Sequence, residues 1–100
     1  MLKKDLLELC LLQLLAGGDK YGYEVLTPLR AAFPDTQESA IYALLRGLGK
    51  EKLTEWYMAP GGGGPDRKYY RITSAGQTRL EEMRNQWRNM RDAIASFGVE

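Results

Sequence analysis

Histidine is absent from this chain of 100 residues, and cysteine occurs once, at Cys10. A nucleophilic triad thereby loses its usual base and no set of soft side chains remains for zinc, so the sequence reads as a non-enzyme without metal or cofactor. A single thiol allows no disulfide framework, which fits a reducing cytoplasm. Cys10 lies within Leu9-Cys10-Leu11-Leu12 and reads as a small packed apolar residue rather than a nucleophile. Long apolar runs are also missing, since nothing approaches the roughly 18 uninterrupted residues of a membrane span. The opening Met1-Leu2-Lys3-Lys4 outlines a secretion signal, but Asp5, Glu8 and Gln13 interrupt the leucines that follow and no small-residue cleavage pattern comes after. Charge of one sign is scarce as well. The formal net charge is +1, with four basic and five acidic residues in 1–36, six and four in 37–72, and four and four in 73–100. Only the middle third leans positive, too weakly for charge alone to imply a nucleic-acid partner.

What the chain does have is periodicity. Leu2, Leu6, Leu9 and Leu12 form one stripe of a helix over about 2–16, and Leu7, Leu11, Leu14 and Leu15 fill the adjacent face, so this helix needs cover on more than one side. Gly17-Gly18 ends it. A second helix is expected from the cap Asp19 to Phe33, with Val25, Leu26, Leu29 and Phe33 inward. Pro28 inside it implies a kink or a late start. In the third segment, 35–52, Ile41, Leu44, Leu45 and Leu48 recur at i, i+3, i+4 and i+7 on one helix face. The other face presents Ser39, Tyr42, Ala43, Arg46 and Lys50, which in isolation could be plain solvated surface.

Two aromatic-rich runs, Thr54–Met58 and Arg67–Ile72, flank Pro60-Gly61-Gly62-Gly63-Gly64-Pro65 and read as a hairpin with a long tip. No Gly-Lys-Ser or Gly-Lys-Thr follows those glycines, so they make no nucleotide-cradling loop. Ser74 and Gln77 have the spacing of a capping box at the start of a last helix. Its apolar residues Leu80, Met83, Trp87, Met90, Ile94 and Phe97 advance by alternating steps of three and four. Such a seam suits another helix, and a second copy of the chain is the expected partner, against the alternative of a helix folded on its own domain. Glu81, Glu82 and Asp92 on the same helix read as solvated surface.

The order helix, helix, helix, hairpin, helix predicts an α+β, mostly α fold: a winged helix-turn-helix over 1–72 with a dimerisation helix over 73–100. In that architecture the third helix enters the major groove and the hairpin lies along the backbone of double-stranded DNA. Arg46 can pair with guanine, Gln37 and Ser39 can meet base edges or phosphate at the helix start, Tyr42 can reach phosphate or a thymine methyl, and Lys50 adds charge. On the wing, Arg67 and Lys68 offer charge to phosphates or a minor groove. The near-neutral balance keeps open a different class, a winged-helix module that binds a protein instead.

Three stretches carry a family likeness: Tyr21-Gly22-Tyr23-Glu24-Val25, Ile41-Tyr42 with Leu45-Arg46, and Arg67-Lys68-Tyr69-Tyr70-Arg71-Ile72-Thr73 followed by Ala75-Gly76. With these the chain resembles the PadR family of bacterial transcriptional regulators from Leu6 to about Phe97, in its compact branch with a short last helix. The resemblance implies a homodimeric repressor whose last helices make the dimer contact. It further implies an aromatic effector at that interface, where Trp87 would offer a stacking platform and Met83 and Met90 an adaptable surround; the alternative is that Trp87 is packing alone. The sequence departs from the family at Tyr21, usually His, at Ala43, often Pro, at Lys52, often Gly, and at Ser39-Ala40, usually Gly followed by Ser or Thr.

Overall fold

The computed structural model describes residues 2–100, so Met1 of the signal-like opening lies outside the described residues. The chain order is α1 (Lys3–Ala16), β1 (Lys20–Tyr21), α2 (Gly22–Ala32), α3 (Glu38–Lys50), β2 (Thr54–Pro60), β3 (Asp66–Ile72) and α4 (Ser74–Ala95). The leucines of α1 are apolar almost all round because the helix is covered on several sides. Leu7, Leu11, Leu12 and Leu15 are buried, and Leu9, Cys10 and Leu14 pack half-buried against the same core. Asp5 in its first turn accepts the Leu2 N–H at 3.1 Å, placing a carboxylate at the positive end of the helix.

The second helix does not begin at Asp19. Residues 20 and 21 pair with β3 instead, Lys20 opposite Tyr70 and Tyr21 opposite Tyr69, which makes a three-stranded antiparallel sheet in the order β1-β3-β2. The helix cap falls two residues later, at Tyr21, with Glu24 accepting the Tyr21 N–H at 3.1 Å. Asp19 takes the Tyr57 hydroxyl instead, at 2.6 Å. Pro28 stays inside α2. It lies on the exposed side, where water can hydrate the carbonyl its ring leaves unbonded.

Helix α3 presses Ile41, Leu45 and Leu48 into a core shared with Leu11, Leu12, Leu15, Val25, Leu26 and Leu29. It ends in a tight reversal: the Lys52 N–H donates to the Gly49 carbonyl at 3.0 Å and the Leu53 N–H to the Leu48 carbonyl at 2.9 Å. This is a Schellman motif, and its left-handed residue is Lys52, at φ 61°.

The last helix is capped by Thr73, one residue before the expected Ser74. Its hydroxyl accepts the Gly76 N–H at 3.0 Å and donates to the Lys52 carbonyl at 2.7 Å, while its N–H donates to the Leu53 carbonyl at 3.0 Å. Gly76 is closed in by the Leu53 carbonyl and the Ile72 side chain, which leave no room for a Cβ. Helix α4 is thereby bolted to the exit of α3, and its first turns pack on α1. Leu80 and Met83, expected on the seam between two chains, are only 2 % and 5 % exposed and complete the core of their own chain. Arg79 ties the joint further, 3.5 Å from the Glu8 carboxylate and 3.7 Å from that of Glu51. Burial pushes the Glu8 carboxyl above its ordinary range, and Arg79 opposes that rise.

A lysine in the left-handed region costs about 1–2 kcal/mol relative to glycine. We expect Lys52→Gly to stabilise the protein by roughly 1 kcal/mol, seen as a higher midpoint at unchanged slope in urea unfolding.

Candidate nucleic-acid interface

The face of α3 opposite its buried stripe carries Ser39, Tyr42, Arg46 and Lys50. At 3.6 residues per turn these four fall within about 80° of the helix circumference. Ser39, Arg46 and Lys50 are exposed and Tyr42 is half-buried. The Tyr42 phenol rests against the start of α2, where a Cβ at Gly22 would come within 2.9 Å of its hydroxyl oxygen. Gln37 occupies the cap position of α3 without a side-chain bond to the helix amides, and lines a separate depression with Lys3, Lys4 and Thr36.

The hairpin register sorts the wing residues by face. Trp56 opposes Tyr70 and Met58 opposes Lys68, whereas Tyr57 opposes Tyr69 and Ala59 opposes Arg67. Directly opposed residues share a face. Tyr70 is buried in the core, so Trp56, Met58 and Lys68 lie on the side turned towards the helices. Arg67 lies on the outer side, with its guanidinium 4.5 Å from the Tyr21 ring centroid and its stem over Gly61. The outer face is a ladder: Tyr21 meets Tyr69 edge-on and Tyr69 stacks on Tyr57, both at 5.7 Å. Arg71 closes the ladder 5.1 Å from the Tyr57 ring and 3.0 Å from the Glu55 carboxylate. On the inner face the Lys68 ammonium sits 4.3 Å from the Trp56 centroid and 5.6 Å from that of Tyr70.

Helix and wing meet in an open depression of about 530 Å³ lined by Tyr21, Tyr23, Tyr42, Arg67, Lys68 and Tyr70. Of the residues singled out from the sequence, Tyr42, Arg67 and Lys68 are brought together here. Ser39, Arg46 and Lys50 continue the surface along α3, and Gln37 stands apart. Tyr21, Tyr23, Trp56 and Tyr70 were not foreseen. For Trp56 and Tyr70 the signal was the period-two alternation of the strands, whose phase depends on the hairpin register; Tyr21 and Tyr23 lie outside the hairpin and had no such signal.

Ion pairing sets the charge of this surface. Arg30, Arg71, Arg79, Arg84 and Arg91 each have a carboxylate partner. Among the described residues, Arg46, Lys50, Arg67 and Lys68 have none; Lys3, Lys4, Lys20, Lys52 and Arg88 are likewise unpaired elsewhere. A chain of net charge +1 thus keeps four uncompensated cations on α3 and the wing. Burial raises the Tyr70 phenol above its ordinary range, Tyr42 adds to the rise and Arg46 opposes it. The hydrogen bond to Asp19 raises the phenol of Tyr57. Burial also pushes the Cys10 thiol up, which makes it a poorer nucleophile.

A second groove, also about 530 Å³, runs between α1, the end of α2 and α4, lined by Leu9, Cys10, Leu14 and Phe33 with Trp87 and three arginines, Arg84, Arg88 and Arg91. Of the expected ligand residues only Trp87 lines it. Met83 faces the core, and Met90 is half-buried and not part of the lining. Among the described residues no group of acidic or thiol side chains is placed to hold a metal ion, and no helix is long and apolar enough to cross a membrane.

A model of the transcriptional regulator PadR-like family matches residues 11–82. The crystal structure of a PadR-like transcriptional regulator from Bacillus cereus is similar at 36 % identity and TM-score 0.88, covering 97 % of this chain and 95 % of that one. A Streptococcus transcriptional regulator is similar at 33 % identity and TM-score 0.86, covering 96 % and 95 %. An uncharacterized protein of Lysinibacillus sphaericus is 32 % identical over 94 residues, which span 91 % of this chain and 86 % of its own.

The raised phenols of Tyr57 and Tyr70 favour the folded state in their protonated forms. Their contribution is present below about pH 10, the ordinary tyrosine value, and is lost as pH rises through the higher folded values. The melting temperature should therefore fall above about pH 10, and Tyr57→Phe should lessen that fall, measured by circular dichroism melts across the alkaline range.

Proposed function

The chain belongs to the PadR-like family of transcriptional regulators, which bind DNA and catalyse no reaction, and from that premise we propose a homodimeric repressor that docks α3 and the wing on its operator. The observation that carries the proposal is the outward stripe of α3, whose cations stand free of carboxylates beside an equally unpaired Lys68. In this reading Arg46 makes the paired hydrogen bonds that read guanine, and Ser39 and Gln37 meet base edges or phosphate where the helix enters the groove. Tyr42 and Lys50 hold the backbone on either side, while Lys68 and, from the outer face, Arg67 neutralise phosphates. Chromosomal DNA places this work in the cytoplasm.

The second half of α4 supports the dimer. Trp87 and Ile94 are 40 % and 46 % exposed on this half of the helix, and Phe97, just beyond its end, is 88 % exposed. With Leu80 and Met83 taken by the core, the contact between copies falls to Trp87, Met90, Ile94 and Phe97. The adjoining groove suits a flat aromatic effector on Trp87.

Binding of a labelled duplex from the gene's own upstream region, against a random duplex at two salt concentrations, tests the DNA contacts. Arg46→Ala should cost about 1–3 kcal/mol on the operator and much less on random DNA, whereas Lys68→Ala should weaken both alike and reduce the salt slope by about one. Equal affinity of the unaltered protein for the two duplexes would remove sequence-specific repression.

Light scattering tests the dimer. The 11.3 kDa chain should run at twice its mass, and the double change Ile94→Glu with Phe97→Glu should return it to the monomer. An unchanged mass would place the contact elsewhere.

A further inference from the structure

The wing leaves two large apolar side chains bare, Trp56 at 57 % and Met58 at 53 % exposure. Isolated exposed apolar residues are ordinary on any surface. These two are not isolated: both lie on the inner face of the hairpin with Lys68, whose ammonium is held over the Trp56 ring. An aromatic face steadies a cation without neutralising it, so Lys68 remains available to an anion. Lys68 and Tyr70, both beside Trp56, line the depression between the wing and α3 together with Tyr42 of the outward stripe. The Trp56 patch is therefore continuous with the outward stripe of α3.

What covers such a patch must set an apolar surface beside an anion at side-chain spacing. A nucleotide of duplex DNA does so, with its deoxyribose next to its phosphate. We propose that Trp56 is a DNA contact in its own right: a deoxyribose of the strand passing between α3 and the wing packs on its exposed ring while Lys68, steadied by that ring, pairs with the adjoining phosphate. Met58 extends the apolar surface towards the tip. The contact reads no base edge, so it strengthens binding to any duplex alike. It rests on the DNA-binding role stated above.

Fluorescence anisotropy of a labelled duplex, followed together with tryptophan emission of the intact protein, separates the two claims. We expect emission to change over the same concentrations at which anisotropy saturates, and the change to disappear in Trp56→Phe, where Trp87 alone emits. Trp56→Ala should bind operator and random duplex about tenfold more weakly, a loss of about 1.4 kcal/mol, with a melting temperature near that of the unaltered protein. Its salt slope should fall by less than that of Lys68→Ala, because the lysine remains. Saturating anisotropy with unchanged emission, or full affinity in Trp56→Ala, overturns the Trp56 contact and leaves the DNA reading standing. No anisotropy change with any duplex at low salt overturns both.

Discussion

The structure depends on the burial of one narrow stripe, Ile41, Leu45 and Leu48, in the leucine-rich core built on α1 and α2. Each such side chain contributes about 1.5–3 kcal/mol when fully buried, so turning α3 about its axis would expose the stripe at a cost comparable to the stability of a small domain. The orientation of the opposite face follows. Ser39, Tyr42, Arg46 and Lys50 project outward because the leucines cannot, and their exposure is a by-product of apolar packing. No charge is needed to aim them, which is how a nearly neutral chain can present a cationic face.

A second constraint acts on the wing. Burial of Tyr70 sets the phase of β3, and with it which neighbours turn inward. Lys68 and Arg67 are adjacent in sequence, yet the pleat sends one to the helices and the other to the tyrosine ladder. Stacking and cation contacts along that ladder stiffen the strands below a tip whose Gly62 and Gly63 take positive φ.

Much of this was legible in the residues. The spacing of Ile41, Leu44, Leu45 and Leu48 located α3 and, by complement, its outward stripe, because a helix has only one period. The hairpin was visible as aromatic runs around a glycine segment. What escaped was decided between parts distant in sequence. Residues 20 and 21 become a strand only because β3 lies beside them. Thr73 caps α4 in place of Ser74 because the Lys52 carbonyl is there to accept its hydroxyl. The seam on α4 has the same spacing whether its partner is its own domain or another chain, so Leu80 and Met83 could not be assigned from periodicity, and the chain's own core takes both.

The fastening of Thr73 and Gly76 to the exit of α3 makes α4 a lever as well as a contact. Its 22 residues give an arm of about 33 Å, so a swivel of 5°, say, at the fixed end is a displacement of about 3 Å at Ala95. In the dimer proposed above the lever would also work in reverse: a flat molecule wedged near Trp87 that spread two such arms would turn the two α3 rods relative to each other, on a duplex whose half-sites lie whole turns apart.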